Sequence, residues 1–234
     1  MRIHIVNPNS TVSMTEKIAA AARQAAAAGT EIIAATSLSG PPSIEGHYDG
    51  ALALPGLLDE IGRGEMNGAD AHIIACFDDT GLDAARCLAK APVIGIGEAG
   101  YHLASLIAGR FSVVTTLSRS IPILEDNLRR YGLIARCARV RASEVPVLAL
   151  EEPGSDAYRR ISAEIAAAIA EDRAEAIVLG CAGMADLAAS LSALHKVPVV
   201  DGVAAAVKLA ESLVSLGLST SKSRGWAFPR SKDP

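Results

Sequence analysis

Short apolar runs alternate along the chain with alanine-rich amphipathic stretches, and nearly every run breaks into small or polar residues. Apolar runs of four to eight residues bounded by turn formers read as buried strands, and the longer periodic stretches read as helices. Arg2 to Val6 is the first strand, followed by the turn Asn7-Pro8-Asn9-Ser10-Thr11. Ser13 with Glu16 has the form of a capping box, which predicts a helix running to Ala28 and closed by Gly29. Glu31 to Thr36 is a second strand. Ser37 to Gly50, with Gly40, Pro41, Pro42 and Gly46, holds too many breakers for regular structure. Such a long loop in a compact chain is usually functional, and Ser43 to Tyr48 is read as a lid.

The alternation continues with helix 51–66, strand 71–75, helix 81–90, strand 93–96 and helix 98–108. It then restarts: strand 110–116, helix 118–131, strand 138–140, helix 155–171, strand 176–179, helix 185–194, strand 197–200 and helix 202–216. Arg2 and Arg110 are 108 positions apart, Cys76 and Cys181 are 105 apart, and Pro92 and Pro198 are 106 apart. Three landmarks at nearly one offset point to an internal duplication. Strands alternating with helices predict parallel sheets, hence an α/β fold of two pseudo-symmetric doubly wound (Rossmann-like) domains with the active site in the cleft between them. The expected boundaries are 1–98 and 99–201, with the helix 202–217 packing back on the first domain and 219–234 a loosely ordered tail in which Trp226 and Phe228 are candidates to dock on a neighbour.

Half of the 234 residues are hydrophobic and 3% are aromatic, which argues against disorder. A net charge of −4 gives no basic footprint for nucleic acid or a membrane surface, and no stretch nears the ~18 apolar residues of a membrane span. The opening Met1 to Pro8 enters a strand with no signal-like apolar region, so a cytoplasmic location is expected. The four cysteines, 76, 87, 137 and 181, have no C-x-x-C spacing and are read as free thiols or ligands rather than disulfides.

Ligands of open parallel sheets gather beyond the carboxyl ends of the strands. Ile73 to Asp79 and Ile177 to Met184 each run apolar to a cysteine at such an end. Two thiols facing one substrate from opposite sides can do what one cannot: a thiolate removes a proton from a carbon beside a carbonyl, and the opposite thiol returns one to the other face. No cofactor or metal is then needed, provided backbone N–H groups or hydroxyls hold the enolate oxygen. Gly180, Gly183, Asn7, Asn9, Ser10, Thr115 and Thr116 stand at the matching strand ends, and Phe77, Asp78 and Ile44 are candidate lining.

The segments Asn7 to Thr11, Ser43 to Asp49, Cys76 to Asp79, Gly95 to Ala99, Val113 to Thr116 and Leu179 to Met184 resemble the aspartate/glutamate/hydantoin racemase superfamily, and within it the hydantoin and allantoin racemases. The likeness covers roughly residues 1 to 217. It implies a cofactor-independent racemase of 5-substituted hydantoins, allantoin of purine breakdown among them, with Cys76 and Cys181 as acid and base and a homo-oligomeric assembly. Amino-acid racemases of the superfamily follow their first cysteine with Asn-Thr and their second with Thr-His. Phe77-Asp78 and Ala182-Gly183 occupy those places here, which favours a ring without a free carboxylate. Thr80 stands where many hydantoin racemases carry proline.

The other candidates read more plainly. Cys87 and Cys137 lack a motif and are assigned to packing, and His4, His47, His72, His102 and His195 show no ligand spacing. Asp201 before Gly202 reads as a helix N-cap. Gly95-Ile96-Gly97 lacks the third glycine of a dinucleotide fingerprint and reads as a tight strand exit. The rival readings are an aspartate- or glutamate-type racemase, a maleate-type cis–trans isomerase, and a two-lobed small-molecule sensor.

Overall fold

A computed structural model describes residues 1–152 and 154–230; the last four positions of the expected tail lie outside the described residues. In chain order the elements are β1 (Arg2–Asn7), α1 (Val12–Ala25), β2 (Glu31–Thr36), α2 (His47–Met66), β3 (Ala71–Ile74), α3 (Leu82–Leu88), β4 (Val93–Gly95) and α4 (Ile96–Ile107). Then follow β5 (Phe111–Thr115), α5 (Ile121–Arg130), β6 (Cys137–Ala142), α6 (Ala157–Glu171), β7 (Ala176–Gly180), α7 (Ala188–His195), β8 (Val199–Val200) and α8 (Gly202–Ser215). They build two four-stranded sheets, each wholly parallel, in the orders β2-β1-β3-β4 and β6-β5-β7-β8. The chain is α/β, and the identical strand order is the spatial form of the duplication.

Alternation along the strands shows how the two sheets are bound together. Ile3, Ile5 and Ile73 of the first sheet and Val113 and Val178 of the second turn into one common core, shared with Tyr101 of α4 and Val203 and Val207 of α8. Their neighbours turn outward: Val6 and Ile74 pack under α2 and α3, and Val114, Ile177 and Leu179 pack with α6. Period-two side-chain placement thus buries both faces of the central strands. The last helix α8 lies against α1 and α4, and Glu211 on it accepts from the Ala27 N–H and the Thr30 hydroxyl, both at 2.7 Å. Among the described residues no helix is long and apolar enough to cross a membrane.

Several expected boundaries move, each for a local reason. The capping box at Ser13 and Glu16 does not form: both are exposed, α1 starts one residue before Ser13, and Thr11 at its N-cap donates its hydroxyl to the Pro42 carbonyl instead. α2 begins at His47 because Gly46, at φ 134°, makes the turn and the Asp49 carboxylate accepts the Glu45 N–H at 3.0 Å. β6 is longer than expected because Arg141 finds Asp172 and Glu171, each at 2.6 Å. The expected helix after Cys181 opens as a 3-10 turn, Ala182–Leu187.

The segment expected to be loosely ordered folds onto α3 of its own chain as far as it is described. Lys222 donates to the carbonyls of Arg86, Cys87 and Ala89 at 2.6 to 2.9 Å, completing the helix C-terminus. The Arg86 guanidinium lies 4.9 Å from the Trp226 ring centre.

Candidate active site

Cys76 follows β3 by one residue, and Cys181 follows β7 directly. Both are held by the same turn. The Cys76 carbonyl accepts the N–H of Asp79 at 3.0 Å, and the Cys181 carbonyl accepts that of Met184 at 3.1 Å. In each turn the N–H two residues on, of Asp78 or Gly183, is directed at the sulfur. The thiols occupy corresponding places on β3 and β7, the inner strands of the two sheets, and both open into one cavity.

That cavity has about 390 Å³ of atom-free space, its mouth included. Ala75, Cys76, Phe77 and Asp78 line it on one side and Gly180, Cys181 and Ala182 on the other. Asn9 reaches it from the β1–α1 turn and Met14 from the first turn of α1, Thr115 and Thr116 from the end of β5, Ser120 from the 3-10 turn before α5, and Ile44 and Val147 from the two long connections. Ile44, only 8% exposed, closes the site from the segment read as a lid. The lining is a mostly apolar pocket with a few hydroxyls, one amide and one carboxyl, and among the described residues no lysine or arginine lines it.

Burial dominates the electrostatics. It pushes the Cys181 thiol up to about 12 and the Cys76 thiol further, where the Asp78 carboxyl adds to the effect. The Thr80 hydroxyl, 3.6 Å from the Cys76 sulfur, acts the other way. Asp78 is itself pushed up to about 7 by burial and then by Asp79, and its Oδ2 is buried with no hydrogen-bond partner among the described residues.

Asp79 is tied into the scaffold. Its backbone is left-handed at φ 50°, and its carboxylate accepts from the N–H groups of Gly97 and Glu98 at the start of α4 and from the Tyr131 hydroxyl, at 2.7 to 2.9 Å. This explains Gly95-Ile96-Gly97: a methyl on either glycine would collide with the Asp79 carboxylate or the Phe77 carbonyl.

The expected site residues divide on this geometry. Cys76, Cys181, Asn9, Ile44, Phe77, Asp78, Thr115, Thr116, Gly180 and Ala182 meet at the cavity, whereas Asn7, Ser10 and Gly183 are not in its lining. Asn7 is instead internal, with its amide donating to Asn9, Thr11 and Thr15. Ser10 gives its N–H to the Pro41 carbonyl, and Gly183 holds the Cys181 sulfur from behind. Met14, Ala75, Ser120 and Val147 were not anticipated. Ser120 carried a signal in the hydroxyl-rich segment after β5; Val147, at the start of a 3-10 turn, carried none.

His4 and His72 are brought together by the register of β1 on β3, with their Nδ1 atoms 3.3 Å apart, and the Glu65 carboxylate accepts from the far nitrogen of His72 at 2.9 Å. This cluster lies away from the cavity. Asp201 caps α8 as expected, accepting from the N–H groups of Val203 and Ala204.

Two doubly wound lobes thus bring one cysteine from each sheet to a single cavity. The chain belongs to the Asp/Glu/Hydantoin racemase family, whose pattern it matches over residues 3–210, and it is an isomerase. It is 52% identical over 232 residues to a hydantoin racemase of Rhizobium meliloti, a match covering 99% of this chain and 96% of the relative. Among solved structures it is similar to allantoin racemase from Klebsiella pneumoniae, with 52% identity, a TM-score of 0.97 and coverage of 99% and 95% of the two chains. Allantoin racemase from Pseudomonas fluorescens matches at 46% identity with a TM-score of 0.96, covering 100% and 99%.

Proposed function

We propose that the chain racemises a 5-monosubstituted hydantoin without a cofactor, by passing the C5 proton between Cys76 and Cys181. The observation that carries this reading is the pair of thiols at matching turns of a duplicated fold, both opening into one cavity. One thiolate removes the C5 proton, and the carbanion is delocalised onto the neighbouring carbonyl oxygen as an enolate. The opposite thiol delivers its proton to the other face, giving the mirror-image ring. The hydroxyls of Thr116 and Ser120 are the groups placed to receive the ring's polar edge.

The lining favours a neutral ring over an amino acid. A free α-carboxylate is normally met by a cation or a set of charge-assisted donors, and no lysine or arginine lines the cavity. The names of the relatives point to hydantoins and to allantoin at equal identity, so both belong in the assay. Polarimetry with enantiopure allantoin, 5-benzylhydantoin and 5-isopropylhydantoin, beside aspartate and glutamate, and ultraviolet absorbance for conversion of maleate to fumarate, test the substrate class. Turnover of the amino acids or maleate alone would reject it. Cys76→Ser and Cys181→Ser are each expected to abolish inversion, while one of them retains exchange of the C5 proton of a single enantiomer with deuterium oxide. Full racemisation by either variant would reject the two-thiol mechanism.

A further inference from the structure

The two thiols share one difficulty: burial holds both in the neutral form, yet the reaction needs a thiolate. A carboxylate already inside the cavity can supply that charge. Asp78 is the one ionisable residue besides the cysteines in the cavity lining. Its neighbour Asp79 is fully engaged by Gly97, Glu98 and Tyr131, whereas Asp78 Oδ2 is buried without a partner. The Asp78 backbone is fixed by the Asn127 amide, which donates to its carbonyl at 2.8 Å, and its N–H is directed at the Cys76 sulfur. It shares the cavity with both sulfurs, and its charge raises both thiols.

We propose that Asp78 is the proton store of the site: its carboxylate takes the proton of whichever thiol becomes the base and returns it to the opposite thiol when turnover ends. This rests on the two-thiol reading and deepens it. In the resting cavity the negative charge sits on Asp78 and both cysteines are thiols. The S–H bond of Cys76 breaks and an O–H bond forms on Asp78, so the charge moves to sulfur. Cys76 then takes the C5 proton, and the charge passes to the enolate. Cys181 gives its proton to the opposite face of C5 and is left as a thiolate, and the Asp78 O–H reprotonates it. One charge and one proton circulate within the site. During the carbanion stage Asp78 is a neutral acid, which does not repel the enolate as a carboxylate would and offers it an O–H donor.

The surroundings suit the exchange. Asp79 and burial bring the Asp78 carboxyl to about 7, so neither of its protonation states is costly near neutrality. Cys76 and Cys181 share its cavity, Tyr101 lies in the core behind it, and His47 and Arg130 line the adjoining cavity that shares Asp78. Arg130 is itself held by Asp83 at 3.0 Å and by the Tyr131 hydroxyl at 2.9 Å.

The test is the pH profile of thiol alkylation by iodoacetamide, read by mass spectrometry at Cys76 and Cys181, together with steady-state kinetics. A thiolate paired with a neutral carboxyl has the same proton count as a thiol paired with a carboxylate. In the unmodified protein alkylation therefore rises near pH 7 and then holds a plateau into the alkaline range. In Asp78→Asn, which is isosteric and cannot take the proton, the plateau is expected to vanish and alkylation to climb continuously with pH. Its kcat is expected to fall about 100-fold with KM little changed, the usual size for a lost proton-transfer group. A plateau retained in Asp78→Asn, its absence from the unmodified protein, or near-normal kcat in the variant would each overturn the proposal. Cys76→Ser and Cys181→Ser separate the two levels: if either still racemises, the two-thiol reading fails, and if both are dead while Asp78→Asn is unaffected, only the proton store does.

Discussion

A hydroxyl beside a sulfur gains most when that sulfur is charged, and Thr80 is the side chain so placed on Cys76. Thr80→Val removes the donor while keeping the shape, so a loss of about 1 kcal/mol in thiolate stability is expected, roughly fivefold in rate. Thr80→Ser restores it. The check is the alkylation profile of Cys76, which should move to higher pH in the valine variant alone; an unmoved profile removes Thr80 from the mechanism. In the sequence Thr80 showed only as a departure from the proline of many relatives. The two cysteines were legible because a repeat singled them out from Cys87 and Cys137. Asn7 was not, since an amide that organises a turn and an amide that binds a ligand look alike until hydrogen-bond partners are known.

The elements were legible wherever a continuous apolar run ends in a turn, as at β2, whose bounds agree with the expectation, and at β3 and β7. Helix starts were less so, because their caps come from distant partners: Pro42 takes the Thr11 hydroxyl, and no pattern within α1 encodes that. Asp201 is the exception, as its two acceptor contacts are local. Asp201→Ala should cost about 1 kcal/mol in urea unfolding, whereas Asp201→Asn, still a good cap and free of a buried charge, should cost a few tenths.

A second prediction at this scale concerns the His4–His72 pair joining β1 to β3. Burial, and then His72, hold His4 down at about 4 from an ordinary 6.5. The folded state then binds fewer protons than the unfolded chain. Stability from His4 is therefore level above pH 6.5 and is lost as pH falls from there towards 4, by roughly 3 kcal/mol. Asp78 and Asp79, raised to about 7, lean the other way, their contribution shrinking as pH climbs from 3.8 to 7. The comparison with His4→Gln isolates the histidine: denaturant unfolding at pH 7 and pH 4 should show a smaller acid loss in the variant, and equal losses would refute the assignment.

At the scale of the whole molecule, three landmarks at one offset were enough to reveal the duplication, but what joins the halves over the cavity lay outside any local pattern. Lys17 on α1 donates to the Leu150 carbonyl at 3.1 Å and the Gly183 carbonyl at 3.4 Å and pairs with Glu151 at 2.9 Å. Glu45 accepts the Val147 N–H at 2.9 Å. Glu45 thereby ties the segment carrying Ile44 to the segment carrying Val147, and these are the two apolar residues that close the pocket from its long loops. Gly46 next to it, at φ 134°, has a backbone conformation that favours glycine and gives the segment a pivot before α2. Glu45 is not in the cavity lining, so its loss should act on closure rather than on proton transfer. Glu45→Ala is expected to raise KM roughly fivefold, the value of one hydrogen bond to a charged group partly screened by solvent, with kcat changed less and unfolding free energy within about 1 kcal/mol of the original. Glu45→Gln keeps an acceptor and should recover most of the affinity. Steady-state kinetics on the hydantoin that proves fastest decides it, and an unchanged KM in the alanine variant would mean that the segment is held shut by Ile44 packing alone.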